Sequence, residues 1–336
     1  MARIIASSSF NNINPTAHYG YIDRATDSQY VVYDGTGTGS YGGYGLGYDG
    51  VLNVTRGTFT NYREYNSAGT LLATVDQFAI SAPSAQYQAS RNDMAGFYSA
   101  ILSGNDSITG SIYADRLAGY DGNDTILSGG GNDHIDGGNG NDVIYMSSGN
   151  SYVTGGSGFD WVDLPGRGAT YSQASTAQGW QFYNNSISVN VNLNSVERVA
   201  FDDGVKAFDT AGNAGQMYRL YQAAFARDPD AGGLGYWIQR YDNGTTNLLH
   251  ASASFIGSQE FASIYGTPSS VSNTRYVELL YLNTLGRTPD QNGYNYWVGN
   301  LESGQVTRSR MLADFSESNE NKAQTAGEIS DGIWYV

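Results

Sequence analysis

Six aspartates between residues 106 and 160 are the side chains whose type and spacing point most directly to chemistry. They recur in a nine-residue register whose sixth position carries Ser151 instead. An aliphatic residue follows each of the seven positions by two, from Ile108 to Val162. Ca²⁺ takes about six to eight oxygen ligands in irregular geometry, and carboxylates among glycine-rich turns supply both side-chain and backbone oxygens. The pattern therefore predicts calcium sites built by a repeat, with these aspartates as ligands: Asp106, Asp115, Asp124, Asp133, Asp142 and Asp160.

The elements that must position these aspartates are short turns and strands. The best copies, Gly137–Asp142 and Gly155–Asp160, match the nonapeptide G-G-x-G-x-D-x-U-x, which is typical of calcium-binding β-helices. A turn and a short strand alternate, so the chain reverses every nine residues and completes a coil every eighteen. Glycines let backbone carbonyls point into the turns, and the metal-site candidates therefore include Gly104, Gly122, Gly131, Gly138, Gly140, Gly156 and Gly158.

Stacking of the coils predicts two edges with different numbers of sites. One edge should carry Asp106, Asp124, Asp142 and Asp160, and the other Asp115, Asp133 and Ser151. Adjacent turns would share each ion, giving three sites on the first edge and one on the second, between Asp115 and Asp133. Ser151 lacks a charge, and Tyr113 stands where a glycine is expected, so both weaken the second edge. We expect about three or four calcium ions. A glycine-rich linker would not keep seven aliphatic residues in phase.

The amino-acid composition excludes some classes of binding partner. The chain has 336 residues, a net charge of -15, 44 glycines and no cysteine. The acidity argues against nucleic acid and anionic membranes and favours cation binding. The absence of cysteine excludes disulfide bonds, so a bound metal ion is the expected means of stabilising the fold. The first residues lack the apolar segment of a secretory signal, and no run of 18 apolar residues could span a membrane.

A second repeat, with a period of 60, lies towards the C-terminus. Tyr221, Arg227, Asp230 and Glu260 each have a counterpart 60 residues later. Helical spacing of apolar residues surrounds these markers, and each aspartate is placed to cap a helix. We interpret Arg227 with Asp230, and Arg287 with Asp290, as structural ion pairs. Two aromatic pairs are candidate glycan-binding residues, although the core of a helical domain is the favoured interpretation: Tyr236, Trp237, Tyr296 and Trp297.

The predicted fold is mixed and multidomain. An antiparallel β-rich domain should span residues 1–84, a capping helix 85–101 and a parallel calcium-binding β-roll 102–165. A β-rich connection should follow over 166–212, then an all-α tandem repeat over 213–325. Residues 326–336 end in an acidic residue and apolar side chains, which makes them a candidate type I secretion signal.

Two blocks of the sequence resemble known families. Residues 102–164 resemble the repeats-in-toxin (RTX, hemolysin-type) calcium-binding proteins, and residues from about 213 to 322 are similar to a twinned helical domain of unknown function from bacterial surface-layer and type I-secreted proteins. The resemblance implies Ca²⁺ as the bound ion, export by an ABC-transporter type I system, and folding outside the cell.

Three functional hypotheses remain open. The leading one is a secreted, non-enzymatic structural or adhesive protein, such as a surface-layer, matrix or filament subunit, with itself or a surface polysaccharide as partner. The second is a carbohydrate-binding module. The third is an enzyme with an unrecognised site in residues 1–100, although neither H-E-x-x-H nor G-x-S-x-G occurs.

Overall fold

The computed structural model describes residues 2–7, 21–33, 37–49, 52–91, 93–267 and 269–336, with the side chains of 21–24 excepted. The chain divides into two compact units, Met1–Asp202 and Asp203–Val336. The first is rich in β-strands and the second is mostly helical. Within the described ranges, no helix is long and apolar enough to cross a membrane.

An antiparallel meander forms the start of the first unit. Its strands lie side by side in the order β2-β3-β4-β5-β6-β1. Tyr41 is buried at its centre, with its ring 4.8 Å from Tyr62 and 5.0 Å from Phe59. Aromatic and β-branched residues suit such a pleated, half-buried surface. The strands are β1 (Arg3–Ala6), β2 (Tyr21–Ala25), β3 (Gln29–Tyr33), β4 (Gly37–Tyr48), β5 (Val54–Asn66), β6 (Leu71–Asp76) and β7 (Ile80–Ser81).

Two short helices precede the repeats, where the sequence predicted one. They are α1 (Ala82–Ser90) and α2 (Met94–Ile101). The Asp93 carboxylate accepts a hydrogen bond from the Gly96 amide and so begins α2 as a separate helix. Phe97 of α2 is buried and contacts Tyr41 and Tyr62 edge-on, which attaches this helix to the meander.

Seven short strands follow, and every one pairs in parallel with the strand eighteen residues away. Ile126 pairs with Ile108 and Ile144 in one sheet, and Ile135 pairs with Leu117 and Val153 in the other. These aliphatic side chains are almost fully buried. The strands are β8 (Ser107–Thr109), β9 (Arg116–Ala118), β10 (Thr125–Leu127), β11 (His134–Asn139), β12 (Val143–Tyr145), β13 (Gly149–Ser157) and β14 (Trp161–Asp163).

Both sheets continue beyond the repeats. β1 pairs in parallel with β8 at the N-terminal end. At the other end β17 pairs in parallel with β13, and β18 pairs in parallel with β14. The added elements are a 3-10 turn (Gly168–Thr170), β15 (Ser172–Thr176), β16 (Gly179–Asn184), β17 (Val189–Asn194) and β18 (Arg198–Phe201). No sequence repeat predicts these pairings.

The described residues of the second unit form eight helices in two sets of four, between β19 (Gly204–Ala207) and β20 (Ile333–Tyr335). The second set begins and ends sixty residues after the first, in agreement with the period of the sequence. The first set is α3 (Asn213–Phe225), α4 (Ala231–Asp242), α5 (Leu248–Ile256) and α6 (Gln259–Tyr265). The second is α7 (Asn273–Leu285), α8 (Gln291–Glu302), α9 (Arg308–Ser316) and α10 (Asn319–Thr325).

The last residues are part of this helical unit. β20 pairs antiparallel with β19, and Tyr335 is fully buried in the core. The Val336 amide donates to the Ala231 carbonyl at 3.2 Å. The segment expected to carry a secretion signal is therefore packed once the unit has folded.

Candidate calcium centre

The aspartates of the first predicted edge form a continuous hydrogen-bonded ladder. The Asp106 amide donates to Oδ1 of Asp124 at 2.7 Å, the Asp124 amide to Asp142 at 2.8 Å, and the Asp142 amide to Asp160 at 2.9 Å. Oδ1 of Asp106 accepts from the Ala2 amide. Each carboxylate is thus oriented by the coil before it, which leaves its second oxygen for another partner.

The second oxygen has no hydrogen-bond donor in three aspartates of the first edge and in Asp133 of the second. Oδ2 is buried and unpartnered in Asp124, Asp133, Asp142 and Asp160. A buried carboxylate oxygen without a partner is costly, and the cost disappears when a cation binds it. Burial raises the pKa of Asp124, Asp133 and Asp160 to about 7. The four oxygens therefore mark places where a positive charge is needed.

A glycine five residues before the aspartate makes room beside this oxygen. A Cβ on Gly119 would collide with Oδ2 of Asp124 and with the carbonyl oxygen of Gly137, one coil later. A Cβ on Gly137 would likewise collide with Oδ2 of Asp142 and the Gly155 carbonyl. We call each such group of a glycine, an aspartate Oδ2 and a carbonyl of the next coil a cradle. Its side-chain and backbone oxygens are the hard ligands that Ca²⁺ prefers.

The predicted glycines stack the coils closely. Six of the seven have φ between +100° and +144°: Gly122, Gly131, Gly138, Gly140, Gly156 and Gly158. A side chain on any of them would strike the backbone carbonyl of the residue eighteen positions earlier. Gly104 is the exception, because it lies in the first coil and a Cβ there would meet nothing within 4 Å. These glycines therefore set the backbone spacing of the cradles.

The second edge is built differently. Oδ1 of Asp133 accepts from the Asp115 amide at 3.0 Å, and the Asp133 amide donates to Ser151 Oγ at 3.1 Å. Oδ2 of Asp115 accepts from the amide and the hydroxyl of Ser111, at 2.6 and 2.9 Å. Ser128 stands five residues before Asp133, where a cradle has glycine. A protein hydroxyl thus contacts one carboxylate of this edge, and a serine replaces the glycine five residues before the other.

Sequence reasoning missed two groups of residues at these edges. Gly119, Gly137 and Gly155 clear the space beside the aspartates, and their signal was the glycine five positions before each. The asparagines form a second ladder: Asn105 Oδ1 accepts from the Asn123 amide at 2.9 Å, and Asn123 Oδ1 from the Asn141 amide at 2.8 Å. Their signal was an asparagine immediately before the aspartate in four repeats.

The residues present fit calcium better than a metal bound by side chains alone. Nowhere in the described ranges do three His, Cys, Asp or Glu side chains converge as a metal cluster. Zinc would need such a cluster, commonly of nitrogen and sulfur ligands. A cradle instead combines few carboxylates with backbone carbonyls, which suits Ca²⁺.

The two aromatic pairs of the helical unit divide between core and surface. Trp237 packs edge-on against Phe255 at 5.1 Å, and Trp297 against Phe315 at 5.4 Å. Tyr236 and Tyr296 are 55% and 61% exposed, so these two rings remain accessible to a ligand. The tryptophans belong to the helical core.

The spacing of arginine and acidic residues that recurs in the two halves of the helical unit has a structural role. Arg227 forms a two-point ion pair with Glu260, and Arg287 does so with Glu320, each with a shortest distance of 2.7 Å. Asp230 lies 3.7 Å from Arg227 and accepts from the Gly233 amide, which caps α4. The main partner of each arginine is therefore the glutamate, and the aspartate is chiefly a helix cap.

Comparison with known families agrees with this geometry. The model of the RTX calcium-binding nonapeptide repeat (4 copies) matches residues 102–135 and 119–153. A domain of unknown function (DUF4214) matches residues 252–325, within the helical unit. No curated protein matches the chain. The chain thus carries RTX calcium-binding nonapeptide repeats, a family that binds Ca²⁺, together with a C-terminal domain of unknown function.

Proposed function

We propose that this is a secreted structural or adhesive protein whose nonapeptide segment forms a parallel calcium β-roll when it meets extracellular calcium. The observation that carries the proposal is the set of buried, unpartnered Oδ2 atoms at Asp124, Asp133, Asp142 and Asp160. The proposed ligands are the six aspartates of the repeats and the carbonyls of their glycines. Residues 102–165 are the calcium-responsive segment, and residues 213–325 fold around an apolar core of their own.

Calcium supplies free energy that the segment lacks by itself. Without the ion, the stacked carboxylates of Asp124, Asp142 and Asp160 are buried close to one another, and the glycine-rich chain loses much entropy on folding. Extracellular calcium modules bind at about 10⁻⁴–10⁻³ M. A tenfold excess of calcium over the dissociation constant stabilises the folded state by about 1.4 kcal/mol per site. Several sites together make folding conditional on calcium.

This dependence supports export by an ABC-transporter type I system. A chain that stays unfolded at the low calcium of the cytosol is suited to passage through a narrow channel. The candidate signal at residues 326–336 would then be accessible before folding and become packed afterwards, since Ile333 and Tyr335 are buried in the folded unit.

A structural or adhesive role is supported by the outer face of the first sheet. Leu127 and Tyr145 are neighbours in adjacent strands and are 39% and 44% exposed. Ile5 of β1 pairs with Thr109 of β8, which in turn pairs with Leu127, so Ile5 lies in the same column of side chains. Ile5 is 41% exposed. Exposed apolar side chains in one column of a sheet favour association with a second surface.

A calcium titration followed by circular dichroism and light scattering tests the proposal. We expect β-structure to form near millimolar calcium, and particle size to grow afterwards. Folding without growth would support a monomeric binding module instead. A repeat segment already folded in excess chelator would refute the calcium switch.

The second candidate function is carbohydrate binding by the helical unit. It is favoured by the exposure of Tyr236 and Tyr296 at equivalent positions of the two sets of helices. A glycan-array signal that Tyr236→Ala and Tyr296→Ala abolish would support it. A glycan-array signal in both variants equal to that of the unaltered chain would exclude this surface as the glycan-binding site.

A further inference from the structure

The aspartate ladder continues past the last repeat, into a loop that has no nonapeptide sequence. The Asp160 amide donates to Oε2 of Glu197 at 2.8 Å. In the repeats this acceptor is always the residue eighteen positions later, whereas Glu197 is separated from Asp160 by the turn and strands of residues 165–194. Glu197 therefore takes the ladder position that a further aspartate would hold.

The strand after Glu197 completes the likeness to a repeat. The Arg198 amide donates to the Asp160 carbonyl at 3.1 Å, as the Trp161 amide does to the Asp142 carbonyl at 2.8 Å. Val199 is fully buried and pairs with Val162, in the column of inward aliphatic residues. Glu197-Arg198-Val199 thus has the geometry of the D-x-U part of a nonapeptide.

Ser195 provides the other half of a cradle. A Cβ on Gly155 would collide with Oδ2 of Asp160 and with the carbonyl oxygen of Ser195. The next-coil glycine carbonyl plays this part beside Asp124 and Asp142. Ser195 has φ of +50°, in the left-handed region, whereas Gly137 and Gly155 have no positive φ. The loop thus places a serine carbonyl where the repeats place a glycine carbonyl, although the backbone conformation differs.

The oxygen that faces this loop has no other partner. Oδ2 of Asp160 is buried and accepts no hydrogen bond, and Asp160 is 0% exposed. Burial and the nearby charge of Glu197 both raise the pKa of Asp160. The carboxylates of Asp160 and Glu197 and the Ser195 carbonyl therefore all lie at the end of the ladder.

We propose that Asp160, Glu197 and the Ser195 carbonyl hold an additional calcium ion, which caps the C-terminal end of the roll. This site rests on the proposed calcium function and adds a fourth position to the first edge, beyond the three expected between Asp106 and Asp160. The ion joins the repeats to the strands that follow them, because Glu197 immediately precedes β18.

Native mass spectrometry of the full chain tests the proposal by counting calcium ions on folded molecules. Glu197→Gln removes the charge and keeps an oxygen acceptor for the Asp160 amide, so the ladder is retained. We expect this variant to bind one calcium ion fewer than the unaltered chain at saturation. Glu278→Gln is the matched control, since Glu278 pairs with Arg275 on the surface of α7, and it should bind the full number.

Gly155→Ala provides a second, independent variant. Its methyl group would fill the space between Asp160 Oδ2 and the Ser195 carbonyl, and we expect the loss of the same ion. Gly299→Ala is the control, because Gly299 lies on α8, outside the repeats, and its methyl group would meet nothing within 4 Å. An unaltered chain that binds no calcium would refute the proposed function itself. Full calcium binding with unchanged affinity in both Glu197→Gln and Gly155→Ala would overturn only the additional site.

Discussion

At the scale of single residues, three aspartates of the repeats use their two oxygens for different purposes. In Asp124, Asp142 and Asp160, Oδ1 accepts the amide of the preceding coil, while Oδ2 faces a space that a glycine leaves open. The first contact fixes the carboxylate in place. The second oxygen has no donor, so a cation bound there would stabilise the folded state.

The role of the clearing glycines can be tested at Gly137. No positive φ is required there, so alanine is compatible with the backbone, and its methyl group acts only by colliding with Asp142 Oδ2 and the Gly155 carbonyl. We expect Gly137→Ala to weaken calcium binding at least tenfold, measured by isothermal titration calorimetry. Gly299→Ala, on α8 and outside the repeats, should bind as the unaltered chain does, because its methyl group would meet nothing within 4 Å. Equal affinities in the two variants would show that the cradle does not contact the ion.

Protons should partly replace calcium in the roll. Burial raises the pKa of Asp124, Asp133 and Asp160 from 3.8 to about 7, so between these pH values the folded state binds more protons than the unfolded state. Stability without calcium is therefore greatest at the acidic end of this window and is lost as the pH rises towards 7. In chelator, the β-sheet signal in circular dichroism should grow as the pH falls from 8 to 5.5. A signal that does not change with pH would contradict the burial of these carboxylates.

The sequence predicted some of these residues and not others, for a physical reason. The aspartates and the positive-φ glycines follow from the repeat, because the nonapeptide pattern gives each of them a fixed position within one nine-residue copy. Gly119, Asn123 and Glu197 act on residues of another coil. Their contacts require knowledge of which coil lies next to which, and for Glu197 the neighbouring coil is 37 positions away in the chain.

At the scale of elements, local patterns predicted the repeat strands and the helices, but not the ends of the two sheets. Periodicity of apolar residues is enough to place α3 and α7 or β10 and β12. The parallel pairing of β1 with β8 joins segments about a hundred residues apart, and no motif marks it. Similarly, β17 and β18 extend the sheets without any glycine-aspartate signature. Such pairings depend on which edge strand is available after folding.

The two residues of an aromatic pair should differ in how much they stabilise the helical unit, because one lies in the core and the other on the surface. Trp237 packs against Phe255, whereas Tyr236 on the same helix is 55% exposed. We expect Trp237→Ala to destabilise the helical unit by about 3 kcal/mol and Tyr236→Ala by less than about 0.5 kcal/mol. Thermal unfolding followed at the helical dichroism band measures both. Similar losses in the two variants would mean that the tyrosine is also part of the core.

At the scale of the whole molecule, the two compact units should respond differently to calcium. All the proposed ligands, from Asp106 to Glu197, lie in the first unit. The second unit has its own apolar core, in which Leu220, Leu280 and Tyr335 are fully buried. Its exposed ion pairs and capped helices do not require a metal.

Hydrogen exchange on the full chain tests this difference directly. In chelator, we expect amides of residues 102–201 to exchange at the rate of an unfolded chain, because the carboxylates of the ladder repel one another and their buried oxygens lack a partner. Amides of α3–α10 should keep their protection, since their hydrogen bonds lie within helices around a formed core. Addition of millimolar calcium should protect the amides of residues 102–201 and leave the exchange of the α3–α10 amides unchanged.

Protection of both units in chelator would show that the repeat segment folds without the ion. Loss of protection in both would show that the helical unit depends on the calcium-bound roll for its stability.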